Sequence, residues 1–372
     1  MYVHIPFCGS VCDYCHFVRT ASHDHELRRR VVNGMRQEFT LRWEKCRVLR
    51  EGQRPLQTVY FGGGTPSVLE PELMALLWDS TVGRLPAQRS LEATAEANPE
   101  SFTAAVASAW REVGINRVSL GIQGLNDEVL FALGRRCDAV TARLALRLAS
   151  HHFDRVAADW ILGPGVQSPI LLSELAEAVS EGVGHISLYI LEVHGDTPLA
   201  ASHRAGRVTL PSEEYIESMY LEAVEALEGF GLHQYEVANF ALPGHESRHN
   251  QNYWSRRPYL GLGPGAHGFW GRRRYANIPA PEAYCTAVRQ GDFPEAWSEP
   301  LDPEARRLEK LILALRTVRG IPLAALPANV LPLVRGREEG LWEIHGDFLS
   351  LTARGFLRID GIEHLIAQGL GR

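Results

Sequence analysis

The stretch that decides the reading is His4-Ile5-Pro6-Phe7-Cys8-Gly9-Ser10-Val11-Cys12-Asp13-Tyr14-Cys15-His16-Phe17. It places three thiols in one short loop, directly after the apolar β-type run Tyr2–Ile5. Three thiolates cannot complete the ligand set of an iron–sulfur cluster, so a [4Fe–4S] cube held here keeps one iron open for a small chelating molecule. The uneven cysteine spacing lets a single loop wrap one cube, with Phe7, Tyr14 and Phe17 as candidate shields against water. The competing reading is zinc, which accepts three thiolates and one imidazole, here from His4 or His16. On this loop alone both readings stand.

From the loop to about residue 192, short β-type runs alternate with helical stretches. Strands are predicted at Tyr2–Ile5, Thr58–Phe61, Leu91–Ala95, Arg117–Gly121, Val156–Ile161 and His185–Ile190. Helices are predicted near 24–50, 71–82, 101–113, 126–150 and 171–182, with Pro99, Gly114, Pro164 and Gly184 as punctuation. Strands separated by helix-sized segments imply parallel βαβ units and an α/β fold class. Six such units are too few for a closed eight-stranded barrel, which leaves an open three-quarter barrel or a doubly wound sheet. Either fold binds its ligand at the carboxyl ends of the strands. The polar residues of interest obey that rule. The cysteine loop follows the first strand and Gly62-Gly63-Gly64-Thr65-Pro66 the second, while Glu96, Gln123 and Asp159 lie at or near the ends of the next three.

Residues 193–300 are less regular, with a helix near 212–229 and the run Tyr235-Glu236-Val237-Ala238-Asn239-Phe240. From residue 301 the pattern is helix (Pro303–Val318), a short helix near 331–339, strand-like Leu341–Leu351, a turn at Thr352–Gly355, then Phe356–Ile359 and Ile362–Gln368. That order suggests a small α+β winged-helix-like module. It carries no basic surplus, so packing or substrate gating suits it better than DNA binding. Three segments follow: a core over 1–192, an extension over 193–300 and the module over 301–372.

Composition narrows the classes further. The 372 residues are 45% hydrophobic and 22% charged with a net charge of −6, which leaves no electrostatic footprint for nucleic acid. The sequence offers no apolar run long enough to span a membrane and no secretory signal, so the cytoplasm is the expected location. Cys46, Cys137 and Cys285 are scattered and read as ordinary reduced residues rather than a disulfide framework.

Two further constellations carry chemistry. The Gly62–Thr65 turn lets a backbone approach a ligand closely but lacks the Lys-Ser/Thr ending of a phosphate loop, which argues against a nucleoside triphosphate. After a cluster loop it suits an amino-acid-like ligand, and Glu96 adds a carboxylate for ribose hydroxyls. For Glu96, Gln123, Arg135 and Asp159 taken singly, surface or buried-network roles compete. The second constellation is His245, His249-Asn250-Gln251-Asn252-Tyr253-Trp254 and His267. Imidazole ligates heme iron and aromatic rings flank porphyrin faces. Structural histidines and a packed Tyr-Trp pair are the bland alternative.

Together, the cysteine loop and Gly62–Pro66 resemble the radical S-adenosylmethionine superfamily. More narrowly, the chain resembles its coproporphyrinogen-dehydrogenase-related branch and, within that, the heme chaperone group. The likeness runs through Glu96-Ala97-Asn98-Pro99, Ser119–Gln123, Leu133-Gly134-Arg135, Ile186–Leu191, Thr197–Leu199, Tyr235–Ala241, His249–Trp254, Gly261–Gly268 and Leu315-Arg316 with Gly320-Ile321. The resemblance implies a partial six-unit β/α barrel with a smaller C-terminal module. It implies that Cys8, Cys12 and Cys15 hold a [4Fe–4S] cluster whose open iron chelates S-adenosylmethionine. Tyr2, Gly63, Gly64, Thr65, Glu96, Gln123, Arg135 and Asp159 match positions that line the S-adenosylmethionine region, and Tyr14 matches a contact to a second molecule in the dehydrogenase. His249, Asn250, Tyr253 and Trp254 match a signature associated with heme. Phe17 stands where the dehydrogenase has a further cysteine, and that relative lacks the His249–Trp254 signature; both favour the chaperone. The implied function is to bind heme as cargo and deliver it to acceptor hemoproteins, those of a respiratory chain included. A homodimer and a peripheral membrane contact are compatible with it. The alternative is an enzyme, a radical oxidative decarboxylase of coproporphyrinogen III. Two departures stand out: Trp160–Gln167 differs from the usual Gly-Leu-Pro before Gln, and His16 replaces an acidic residue.

Overall fold

The fold is built on strands that are apolar on one side only. In the computed structural model, which describes residues 1–45, 55–270, 272–330 and 340–370, all six predicted strands form. They are β1 (Tyr2–Ile5), β2 (Leu56–Gly63), β3 (Ala87–Ala97), β4 (Arg117–Gln123), β5 (Val156–Leu162) and β6 (His185–Ile190). All run parallel and pair in sequence order. Successive side chains alternate between faces. Val59, Phe61, Ala93, Ala95, Val118, Leu120, Ala158, Trp160, Ile186 and Leu188 share one face and enter the main apolar core.

The other face is polar. Register places Tyr60 beside Thr94 and Thr94 beside Arg117, Glu96 beside Ser119, and Gly121, Asp159 and Ser187 in one row. A doubly wound sheet buries both faces against helices, whereas this sheet covers one and curls the polar one inward as a lumen. Of the two architectures left open by the strand count, the partial barrel forms.

Three short strands extend the expected six to a nine-stranded sheet. β7 (His233–Gln234) and β8 (Asn239–Ala241) continue it antiparallel beyond β6, and β9 (Gly261–Leu262) lies parallel to β1. Its crossover helices are α1 (His25–Lys45), α2 (Pro71–Ser80), α3 (Ala104–Val113), α4 (Asp127–Ala132), α5 (Ala139–His152) and α6 (Ser168–Ser180). The continuation of α1 towards residue 50, with Cys46, lies outside the described residues, as does the short helix expected near 331–339.

One helix expectation is corrected: 126–150 is two helices, not one. Gly134 at φ 68° ends the first, and the Asp138 carboxylate accepts from the Thr141 N–H to start the second. The break turns Arg135 inward. Beyond β6 come α7 (Pro198–Arg204), α8 (Glu213–Gly229) and α9 (Arg248–Trp254). The extension also holds an antiparallel sheet that the sequence pattern did not reveal: β10 (His267–Trp270), β11 (Arg273–Asn277) and β12 (Glu295–Pro300). Nearer the carboxyl terminus, α10 (Pro303–Leu315), a small sheet including Phe348–Leu351 and a helix at Ile359–Gly369 surround a second apolar cluster with Leu311, Leu315, Leu349 and Ile366. Val237 N–H donates to the Arg316 carbonyl at 2.8 Å, tying this cluster's segment to the barrel.

Candidate functional site

The cysteine loop leaves β1 and folds back on the glycine turn. Gly64 N–H donates to the Ile5 carbonyl at 2.8 Å and Thr65 N–H to the Phe7 carbonyl at 2.7 Å. Such contact forbids side chains: a Cβ on Gly64 would lie 2.6 Å from the Phe7 carbonyl oxygen. Gly63 adopts φ 108°, and its Cβ would strike the His4 ring at 2.5 Å. Gly64 is therefore required by the approach of two backbones, and Gly63 by its positive φ and the His4 ring above it.

Polar groups converge on the thiols. Thr65 Oγ1 donates to Cys8 Sγ at 3.5 Å, and Arg135 Nη1 to Cys12 Sγ at 3.4 Å. Burial pushes the Cys8 and Cys15 thiols up, and the Arg19 guanidinium pulls both down. Cys12 and Cys15 add to the rise at Cys8, and Cys12 adds to that at Cys15, as neighbours in one cradle do. His4 has no free nitrogen for a metal: Nδ1 shares a hydrogen bond with Tyr2 Oη at 3.0 Å and Nε2 one with the Val18 carbonyl at 2.9 Å. His16 stacks on His194 with ring centroids 3.6 Å apart. The expected shield is corrected in part: Phe7 is fully buried, but Phe17 is 61% exposed with its ring beside His16.

The residues expected to face S-adenosylmethionine gather beside this cradle, at the carboxyl ends of the strands. Glu96 accepts from Tyr60 Oη at 2.8 Å and from Gly63 N–H at 3.1 Å. Burial, reinforced by Asp159, still raises its carboxyl to about 7. Asp159 rises to about 6 by burial, although Ser187, Arg117 and Arg135 counteract it. Tyr14 packs with Val129, Leu133 and Ile161, and burial raises its phenol although Arg135 lowers it. Arg135, 2% exposed, donates to the Gly121 carbonyl at 2.6 Å and to Asn98 Oδ1 at 3.3 Å. Gln123 Oε1 and Arg135 Nε are buried here without a partner among the described residues. Gln123 is held at φ 68°, a conformation rare for a side-chain-bearing residue and one found at ligand clamps. Unsatisfied buried groups beside a thiol cradle fit a site built for a polar cofactor.

The histidine–tryptophan signature lies elsewhere, at the opposite end of the barrel. It forms α9, which closes the lumen as a floor. Its N-terminus is capped by Ser247 and by buried Glu92, which accepts from Arg248 N–H at 3.1 Å and His249 N–H at 2.9 Å. His249 is buried; its Nδ1 bonds Thr58 Oγ1 at 2.8 Å and its Nε2 bonds Tyr253 Oη at 2.9 Å. Burial holds this imidazole well below its ordinary pKa, hence neutral. Asn250 N–H donates to Ser247 Oγ at 3.2 Å, and Trp254 faces Glu236, whose carboxyl burial raises to about 8. His245 and His267 do not join this group. His245 lies against Gly184, and His267 packs edge-on to Trp297. Residue-by-residue reading missed Thr58, Tyr60 and Glu92. Their alternation along β2 and β3, in step with Gly62 and Glu96, is the signal that could have found them.

Residues 2–168 match the Radical SAM superfamily. A heme chaperone HemW of Mycobacterium tuberculosis is 36% identical over 97% of this chain and 93% of its own length. The chain belongs to the HemW heme chaperone family. A second HemW, from Bacillus subtilis, is 32% identical over 86% of the chain and 84% of its own length. Among solved structures, coproporphyrinogen III oxidase (HemN) of Escherichia coli superposes with a TM-score of 0.82 at 21% identity, covering 98% of this chain and 89% of that one. This likeness shows the fold: an α/β radical SAM partial barrel with small sheets added towards the carboxyl terminus. Membership of the superfamily implies a [4Fe–4S] cluster and S-adenosylmethionine, and the thiol cradle with its unpaired polar atoms fits them. Among the described residues no helix is long and apolar enough to cross a membrane.

Proposed function

We propose that the chain binds heme as cargo and hands it to acceptor hemoproteins. The observation that carries this reading is the similarity to HemW heme chaperones at both ends of the molecule, from the thiol cradle to the floor helix. Cys8, Cys12 and Cys15 would hold the cluster, which would supply an open iron for an amino acid head group. Gly63, Gly64 and Thr65 fix the turn beside it. Arg135 and Gln123 offer a donor and an acceptor without partners, and Glu96 and Asp159 offer carboxylates for hydroxyl groups. Tyr14 and Tyr2 close the sides. Asn250, Tyr253 and Trp254 belong to the heme end, with His249 bracing them. A cytoplasmic location suits a chain whose described cysteines are all free.

The test is an anaerobic heme titration of cluster-reconstituted protein, read as Soret absorbance after gel filtration. Co-elution of about one equivalent supports the chaperone. An intact cluster spectrum with no retained heme refutes it. The decarboxylase reading draws on the open polar lumen, where Tyr189 is 43% exposed beside Asp159 and Glu96. Loss of two carboxyl groups from coproporphyrinogen III by mass spectrometry, abolished by Cys12→Ser, would establish it instead.

A further inference from the structure

At the amino-terminal end of the strands, outside the floor helix, lies a cleft of about 890 Å³. Its walls come from α1, the start of β2, the segment before β3, α9, residues 256–260, residues 269–270 and Arg272. That volume is in the range of pockets that enclose a whole organic cofactor. The walls are mainly apolar and aromatic, with Trp43, Tyr253, Tyr259, Phe269 and Trp270 among them. Flat rings of this kind suit a large planar π system.

Three guanidiniums border the cleft, and they are not equivalent. Arg256 is committed, paired with Glu309 and stacked over Phe269 at 4.5 Å. Arg257 is exposed and makes only long contacts, to Gln57 Oε1 at 3.3 Å and Asn252 Oδ1 at 3.4 Å. Arg272 is exposed at φ 69°. Neither Arg257 nor Arg272 has an ion-pair partner among the described residues. An apolar slot bordered by two unpaired cations complements a planar apolar dianion, and heme, with two propionates on one edge, is such a molecule.

We infer that the cargo heme is held in this cleft, with Arg257 and Arg272 pairing its carboxylates, and not in the barrel lumen beside the cluster. The inference rests on the proposed chaperone function and assigns its site. Thr58 lines the cleft, whereas Gly63, five residues along the same strand, adjoins the thiol cradle. At 3.2–3.4 Å per residue the two ends are about 16 Å apart, with the floor helix between them. His249 borders the cleft with both ring nitrogens engaged, so it acts as a positioning residue for Tyr253 and the floor, not as a free iron ligand. Heme in the cleft is out of reach of chemistry at the cluster, as a carrier that returns its cargo unaltered requires.

The test compares hemin with its dimethyl ester on wild type and on the double variant Arg257→Glu/Arg272→Glu, both carrying reconstituted cluster. These arginines are exposed, and unchanged cluster absorbance and circular dichroism confirm folding. Wild type should bind hemin about tenfold or more tightly than the ester. The double variant should bind hemin about tenfold or more weakly than wild type and should not discriminate against the ester. Added S-adenosylmethionine should leave hemin affinity unchanged. Wild-type-like binding by the double variant, or displacement of hemin by S-adenosylmethionine, overturns the placement while the chaperone reading survives. Failure of wild type itself to retain hemin overturns both.

Discussion

Arg135 joins more of the site than any other single side chain, contacting Cys12 Sγ, Asn98 Oδ1 and the Gly121 carbonyl from a buried position. A lysine keeps the charge but cannot span three acceptors with a planar fork. Arg135→Lys is therefore expected to lower iron and sulfide content after anaerobic reconstitution and to weaken S-adenosylmethionine binding by about tenfold, measured by calorimetry; unchanged values would show that the fork is dispensable. Glu96 makes a pH prediction. Its folded pKa of about 7 exceeds the unfolded carboxylate value, so between about pH 4 and 7 the folded state binds the extra proton. This group's contribution to stability therefore falls as pH rises through that window. Glu96→Gln should raise the melting temperature of cofactor-free protein at pH 8 by a few degrees and have little effect at pH 4.5. A uniform shift at both pH values would contradict the assignment. Glu96, Gln123 and Asp159 were legible because each stands near the end of a β-type run. The partners that shape their chemistry were harder to assign: Tyr60 of β2 bonds Glu96 of β3 and Ser187 of β6 bonds Asp159 of β5, and only the register of the folded sheet pairs them.

Elements carry the next layer of meaning. The floor helix α9 has seven residues, too few to be stable alone, and is held by Ser247, Glu92 and the buried contacts of His249. His249→Ala leaves Thr58 and Tyr253 short of partners and opens a cavity, at an expected cost of about 2–4 kcal/mol by urea unfolding. Glu92→Gln removes the charge at the helix N-terminus and should cost about 1–2 kcal/mol. If His249→Ala loses heme while its stability is unchanged, the imidazole contacts heme directly and its bracing role is refuted. The strands were readable because each is a short apolar run bounded by turn residues. The split of 126–150 was harder to see because Leu130, Leu133, Cys137, Val140 and Leu144 keep a helical spacing through the break. Gly134 and Asp138 are nonetheless a stop signal followed by a start signal.

Across the whole molecule, the polar lumen separates two ends with different chemistry. The thiol cradle was legible from its first residues, since cysteine spacing is local. The cleft was not, because Trp43, Tyr259 and Trp270 belong to distant segments that only the closed fold brings together. Carriage at one end and cluster chemistry at the other predict that cargo leaves unchanged. The most direct test of that claim loads the cluster-reconstituted protein with one equivalent of heme under anaerobic conditions. S-adenosylmethionine, a reductant and an apo-hemoprotein are then added, and the acceptor is separated and its heme analysed by mass spectrometry. A holo-acceptor Soret band and heme of unaltered mass are expected. Heme that stays with the protein, or tetrapyrrole that has lost carboxyl groups, would contradict it.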